Sequence, residues 1–223
     1  MTLIEFYKSV LHIENEQLQH KMSDLSTINA VKKGEQLIRK GQIPNMLYFL
    51  WRGIFRGVLL GRDGKDITDC FVTQCGTPLA ANSYISAPAQ IGIEAIVDSE
   101  VVAVPLKEIN KLILQFPELN AVYHKFLIQS NHKHWELKVL IYQYTAIQRY
   151  QWFLNTYPGL IDQVGHKYIA SFLNMTPVTL SRMIHKEDVQ RKESCSTEAG
   201  PSQTDKNGKE GDSRSSTKGS RIE

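Results

Sequence analysis

The apolar positions of this chain change period several times, and each change marks an element. Between residues 3 and 22, Leu3, Phe6/Tyr7, Val10/Leu11 and Leu18 keep helical spacing and predict one amphipathic helix over Leu3 to Met22. From about Ile28 to Pro105 the texture becomes short β-prone runs punctuated by glycine: 36–38, 47–51, 54–60, 67–72, 91–96 and 101–104. Asp63-Gly64 between two of these runs predicts a hairpin turn, because both central positions of such a turn favour positive φ. Strands this short and this regularly spaced predict an antiparallel roll or sandwich.

After Phe116-Pro117 the period is helical again. Leu119, Tyr123, Phe126, Ser130, Lys133, Leu137, Leu140 and Tyr144 alternate at spacings of four and three, which reads as a coiled-coil seam with a polar middle. Thr145-Ala146-Ile147-Gln148 has the form of a capping box opening a new helix through Thr156. The long helix should therefore end near Tyr144, with a hinge between the two.

Residues 166–186, HKYIASFLNMTPVTLSRMIHK, carry the most specific pattern. Ile169, Ala170, Phe172 and Leu173 repeat at helical spacing, Asn174-Met175 interrupts them, and Thr176-Pro177 supplies an N-cap followed by proline at the first helical position. The second helix turns Leu180 and Met183/Ile184 inward and leaves Val178, Thr179, Ser181, Arg182 and Lys186 outside. That is the layout of a DNA-reading helix-turn-helix, although an ordinary helical hairpin with a solvated polar face has the same pattern.

Composition changes the picture only slightly. The 223 residues are 42% hydrophobic, enough for real cores, and the net charge of +3 confines any nucleic-acid surface to a local patch. Cys70, Cys75 and Cys195 form no CxxC pair, which suits a reducing cytoplasm and a structural role better than a metal centre or thiol sensor. His132 and His134 lie two apart on a predicted helix, so they point to different faces and read as solvated. The same placement argues against a metal-dependent enzyme, and no nucleophile and base converge elsewhere. No run is long enough to span a membrane, and the N-terminus lacks the basic start and apolar core of a secretory signal.

The helix-turn-helix resembles that of the CRP/FNR family of bacterial transcription regulators, which read "iA..LG.t.etlSR" there. The matching residues are Ile169-Ala170, Phe172-Leu173-Asn174, Thr176 and Thr179-Leu180-Ser181-Arg182, preceded by Tyr157-Pro158 and by the helix containing residues 149–154. Upstream, Lys33-Gly34-Glu35, Lys40-Gly41, Leu47 to Leu50, Gly53 and Gly64 resemble the glycine pattern of that family's sensor domain.

The resemblance implies an α+β chain. It would comprise a cyclic-nucleotide-binding-like β-roll with its N-terminal helix (1–117), a dimerisation helix (118–144), a helix-turn-helix domain (145–186) and a disordered tail (187–223) without the family's usual β-hairpin wing. Its implied partners are double-stranded DNA, a second copy of the chain and RNA polymerase, in the cytoplasm and away from membranes. Dimer contacts would fall at Leu119, Tyr123, Phe126, Leu137 and Leu140. His166, Lys167, Thr176, Thr179 and Lys186 would face phosphate. Arg182, beside Ser181, would read a guanine edge, and Val178, where the family commonly has glutamate, could touch only a thymine methyl.

The sensor departs from the nucleotide-binding pattern. Ala80 stands at the usual glycine, Ala81 at the ribose-binding glutamate, and Ala89 or Gln90 at the phosphate-binding arginine. A cyclic AMP phosphate would lack its counter-charge. The resemblance therefore implies no nucleotide, and either an uncharged effector held by Leu79, Ala80, Ala81, Asn82, Tyr84, Gln90, Tyr123 and Leu127, or none. The family's iron-sulfur sensors need an N-terminal cysteine cluster, so no cluster is expected either. A second class remains open: a nucleotide-fold ligand or protein-interaction module that has lost specific DNA binding.

Overall fold

The computed structural model describes residues 1–61, 64–84 and 87–186. Seven strands form two antiparallel sheets: β1 (Thr27–Val31), β7 (Ser99–Pro105) and β3 (Met46–Arg52) in one; β2 (Gln36–Ile38), β6 (Gly92–Ala95), β4 (Phe55–Leu60) and β5 (Asp66–Val72) in the other, each in that spatial order. Leu50, Phe55, Leu79, Ile93 and Val101 fill the roll. The strands lie within a residue or two of the predicted runs, and β1 adds one. Gly64 has φ 77 as the hairpin requires; its neighbour Asp63 lies outside the described residues.

The predicted N-terminal helix over Leu3 to Met22 is corrected to separate pieces. α1 (Leu3–Glu5) continues as a π-helical segment, Phe6–Val10, and the chain breaks at His12, which has φ 55. α2 (Glu16–Leu25) restarts at Asn15, whose Oδ1 accepts the Leu18 N–H at 2.9 Å. The break lets Phe6, Tyr7, Leu11 and Ile13 enter the same core as Leu18 and Met22, against Phe49, Val102 and Val104 of the outer sheet. Periodicity could not reveal it, because the apolar spacing runs through the bend. The sequence reading also passed over α3 (Leu106–Gln115), which buries Leu106, Ile109 and Leu112.

α4 (Pro117–Gln143) is the long helix, and it ends where the capping box predicted. Tyr144 and Thr145 are extended, and the Thr145 N–H donates to Gln148 Oε1 at 2.9 Å to open α5 (Ala146–Thr156). α6 (Leu160–Gln163), α7 (His166–Phe172) and a helix over 177–186, here α8, complete the described chain. The predicted disordered tail at 187–223 and the missing wing lie outside the described residues.

Met1–Ile184 forms one compact unit, so the β-roll and the helix-turn-helix are packed together. Phe71 of β5 joins them: its ring centroid lies 6.1 Å from Phe153 and Tyr157 and 5.1 Å from Phe172, all edge-to-face, within a core that also holds Leu160, Ile169, Leu173 and Leu180. On the α4 side, His134 Nε2 lies 3.7 Å from the Asp69 carboxylate of β5. His134 is therefore paired, whereas the sequence suggested a solvated side chain.

Hydrogen bonding to Asp69 raises the His134 pKa above its ordinary value, against a smaller opposing effect of burial. The folded-state value exceeds the unfolded one, so the stabilisation is complete below the ordinary histidine pKa and disappears as pH rises through the raised value. The side chain is 57% exposed, which holds the effect below about 1 kcal/mol. Urea unfolding at about pH 5.5 and about pH 8.5 should show wild type losing this increment with rising pH and His134→Gln lacking it. Parallel pH profiles for the two proteins would refute the pairing.

Candidate functional site

The turn between α7 and α8 is built by Asn174. It stands where the family pattern has glycine, and it takes the left-handed conformation at φ 50, which asparagine tolerates better than most residues. The Met175 N–H donates to the Ala170 carbonyl at 2.9 Å and the Asn174 N–H to the Ser171 carbonyl at 3.1 Å, closing a Schellman motif. Thr176 then caps α8, its Oγ1 accepting the Thr179 N–H at 3.1 Å. Leu180 is fully buried and Met183 and Ile184 pack beside it, as the spacing predicted.

Fixing that face presents the other. Val178 is 61% exposed, and Thr176, Ser181, Arg182 and Lys186 are exposed with it; His166 and Lys167 are exposed in the first turn of α7. Thr179 is half-buried. Its hydroxyl lies 2.8 Å from that of Thr176, and because one must donate to the other, the pair keeps one O–H free for an outside acceptor. Lys167 Nζ lies 4.8 Å from the Tyr168 ring centroid.

The predicted dimer residues are placed differently. Leu119 is 7% and Leu140 3% exposed, and with Tyr123, Phe126 and Leu137 they occupy the half of α4 turned toward its own chain. Leu119 and Phe126 belong to the core beneath the N-terminal segment, Leu137 and Leu140 to that of the helix-turn-helix, and the Tyr123 hydroxyl donates to the Ser83 carbonyl at 2.8 Å. Leu119 and Leu140 are thus corrected to intrachain contacts, while Tyr123, Phe126 and Leu137 are half-buried. A second stripe faces outward: Ala121, Ile128, Trp135 and Tyr142 repeat every seven residues, with Lys125, His132 and Val139 four after the first three. Ile128 is 70%, Trp135 56% and Tyr142 78% exposed. Both stripes carry polar interruptions, Lys125 and His132 in this one and Ser130 and Lys133 in the inward one, so periodicity alone does not rank them.

In the roll, Leu79, Ala80, Ala81, Asn82 and Tyr84 line one small cavity with Ile38, Met46, Leu47 and Ala89, among others. Gln90, Tyr123 and Leu127 do not reach it. It holds about 20 Å³, room for a single water, and no charged side chain among the described residues lines it. Asn82 is committed to its own loop: Nδ2 donates to the Pro88 carbonyl at 2.9 Å and Oδ1 accepts the Tyr84 N–H at 3.0 Å. Burial, with the Asp69 charge beside it, pushes the Cys70 thiol up to about 12 and so keeps it in the unreactive protonated form.

The structure also shows a polar cluster that the sequence reading did not identify. Arg56 of β4 is 2% exposed, and its Nη2 donates to Glu94 Oε2 at 2.6 Å and to Asp66 Oδ2 at 3.3 Å. Its Nη1 donates to Thr68 Oγ1 at 3.3 Å, and its guanidinium carbon lies 4.1 Å from the Tyr168 ring centroid on α7. The available signal was a lone arginine inside the apolar run Ile54 to Leu60.

Residues 28–116 match the cyclic nucleotide-binding domain family model. None of the curated proteins matches the chain in sequence. Among solved structures, FixK2 from Bradyrhizobium japonicum is 18% identical, with 74% of this chain and 85% of that one aligned at a TM-score of 0.67. The c-di-GMP-responsive global regulator CLP of Xanthomonas campestris is 11% identical over 78% of this chain and 91% of its own, at 0.61. The catabolite activator protein of Thermus thermophilus is 17% identical over 83% and 87%, at 0.50. Residues 28–116 thus resemble a cyclic nucleotide-binding domain in sequence, and the chain shares its fold with the CRP/FNR-type transcription regulators.

Proposed function

We propose that this protein is a homodimeric, sequence-specific DNA-binding transcription regulator that inserts α8 into the major groove and works in the cytoplasm by binding rather than catalysis. The observation that carries the reading is α8 itself: Leu180 holds it in the core while Val178, Ser181 and Arg182 stand free on the opposite face. Arg182 donates bidentately to a guanine edge and Val178 packs on a thymine methyl. His166, Lys167, Lys186 and the remaining hydroxyl of the Thr176-Thr179 pair meet phosphate. RNA polymerase is the partner such a regulator would act upon.

The second copy docks along the outward stripe of α4. Alternation by four and three from Ala121 through Lys125, Ile128, His132, Trp135 and Val139 to Tyr142 is the spacing of a two-stranded seam. Ile128, Trp135 and Tyr142 are more exposed than isolated apolar surface residues need to be. The roll acts without a cyclic nucleotide, a reading supported by a cavity too small for one and lined by no counter-charge.

Selection from random DNA at fixed salt should return a two-fold symmetric motif that Arg182→Ala loses, with a penalty of about 1–3 kcal/mol at the guanine. Equal, salt-sensitive and motif-free binding by both proteins would reject specific recognition and favour the interaction-module reading. In sedimentation velocity, Trp135→Glu should be a monomer with an unchanged unfolding midpoint, since the side chain is half exposed within the protomer; a persistent dimer would move the seam elsewhere. Cyclic AMP at about 1 mM should leave the thermal midpoint unmoved, whereas a saturable rise would mean that the cavity opens to a nucleotide.

A further inference from the structure

α4 and α5 are joined by only two extended residues, Tyr144 and Thr145, so the covalent link leaves several backbone dihedrals free to set the direction of everything after it. Contacts must fix that direction. One set lies between the helices themselves, including Trp152 Nε1 donating to Glu136 Oε1 at 3.0 Å. The other reaches from the sensor sheet directly to α7, the helix immediately before the reading helix.

That second set has a directional character that apolar packing lacks. Arg56 is held in plane by Glu94 on one neighbouring strand and by Asp66 and Thr68 on the other, and it offers its face to the Tyr168 ring at 4.1 Å. One turn further along α7, Ser171 Oγ accepts the backbone N–H of Thr68 at 3.0 Å. β5 is the outer strand of its sheet, so α7 covers a sheet edge and ties itself to the edge backbone. The two contacts lie three residues apart on α7 and fix its roll and position against β5 together.

We propose that the Arg56–Tyr168 stack and the Thr68–Ser171 bond form a positioning junction that orients α8 relative to the sensor roll and so sets the half-site separation the dimer accepts. The proposal rests on the DNA-binding, dimeric reading above. In a dimer each reading helix must meet the major groove about one helical turn of DNA, 34–36 Å, from its copy. A rotation of α7 on β5 moves α8 and changes the separation that fits. The junction therefore selects spacing, while Arg182 and Val178 select bases; Tyr168 and Ser171 are positioning residues and touch no DNA.

The test uses the full chain and the variants Tyr168→Ala, Tyr168→Phe and Ser171→Ala. Arg56 is left in place, because removing it would leave the part-buried Glu94 carboxylate without its partner. Two readouts are taken: hydrogen exchange of the Thr68 amide, and selection from a library of paired half-sites whose centre-to-centre separation varies.

Tyr168→Ala and Ser171→Ala should exchange the Thr68 amide about tenfold faster without faster exchange in β7, and should accept a wider range of separations with the same half-site bases. Tyr168→Phe keeps the ring and should match wild type in both. Unchanged Thr68 exchange in both disruptive variants, exchange that rises equally across the chain, or a separation preference as narrow as wild type would overturn the junction while leaving the regulator reading intact. A wild-type protein that selects no half-site would remove the regulator reading, and the spacing role with it.

Discussion

The helices that would contact DNA are too short to stand alone, and that constraint shapes the rest of the molecule. α7 has 7 residues and α8 spans only 177–186, below the length at which an isolated helix is stable in water. Their existence depends on burial, supplied by one aromatic cluster in which Phe153, Tyr157 and Phe172 surround Phe71. Phe71 belongs to β5, on the sensor sheet. The helix-turn-helix consequently completes its core with a residue of the roll, and the two parts form one compact unit. Under the proposed function, that contact is a short physical path from the β-roll to α8.

Arg56 gives that path its geometry. A buried ion pair is a poor way to add stability, since desolvation offsets much of the attraction, and an apolar residue would serve the core as well or better. What a guanidinium adds is direction: a planar fork with several donors can be satisfied in few arrangements. With Glu94, Asp66 and Thr68 taking its edge, only its face is left for α7, and Tyr168 occupies it. The cluster is better understood as fixing an angle than as stabilising an interface.

Much of this was legible from residue order. Strand runs, the capping box at Thr145, the Thr176-Pro177 helix start and the inward Leu180 all follow local rules, in which a residue's role depends on neighbours within four positions. The bend at His12 was not legible, because the chain just after it is held from about a hundred residues away, where the Glu118 carboxylate of α4 accepts the N–H of Asn15 at 3.3 Å. Asn82 lines the cavity as expected, but its loop bonds were not legible. Its type suits a ligand contact, but its own loop consumes both ends of the amide. Arg56 escaped because an arginine in a strand is unremarkable until both carboxylates and the tyrosine are in place around it.

α4 shows the same difficulty in its sharpest form. The helix has 27 residues and carries two apolar stripes, one through Leu119, Tyr123, Phe126, Leu137 and Leu140 and one through Ala121, Ile128, Trp135 and Tyr142. Periodicity finds the more regular stripe first. That stripe packs on the helix's own chain toward its two ends, while its polar middle, Ser130 and Lys133, stays exposed. The proposed interface between copies carries polar layers of its own, Lys125 and His132, and such layers can specify register and oligomer state, so polar interruption does not tell the two stripes apart in sequence. For a helix that must satisfy both its own fold and a second copy, the interface is thus to be sought in the apolar period that remains once the stronger one has been assigned to the core.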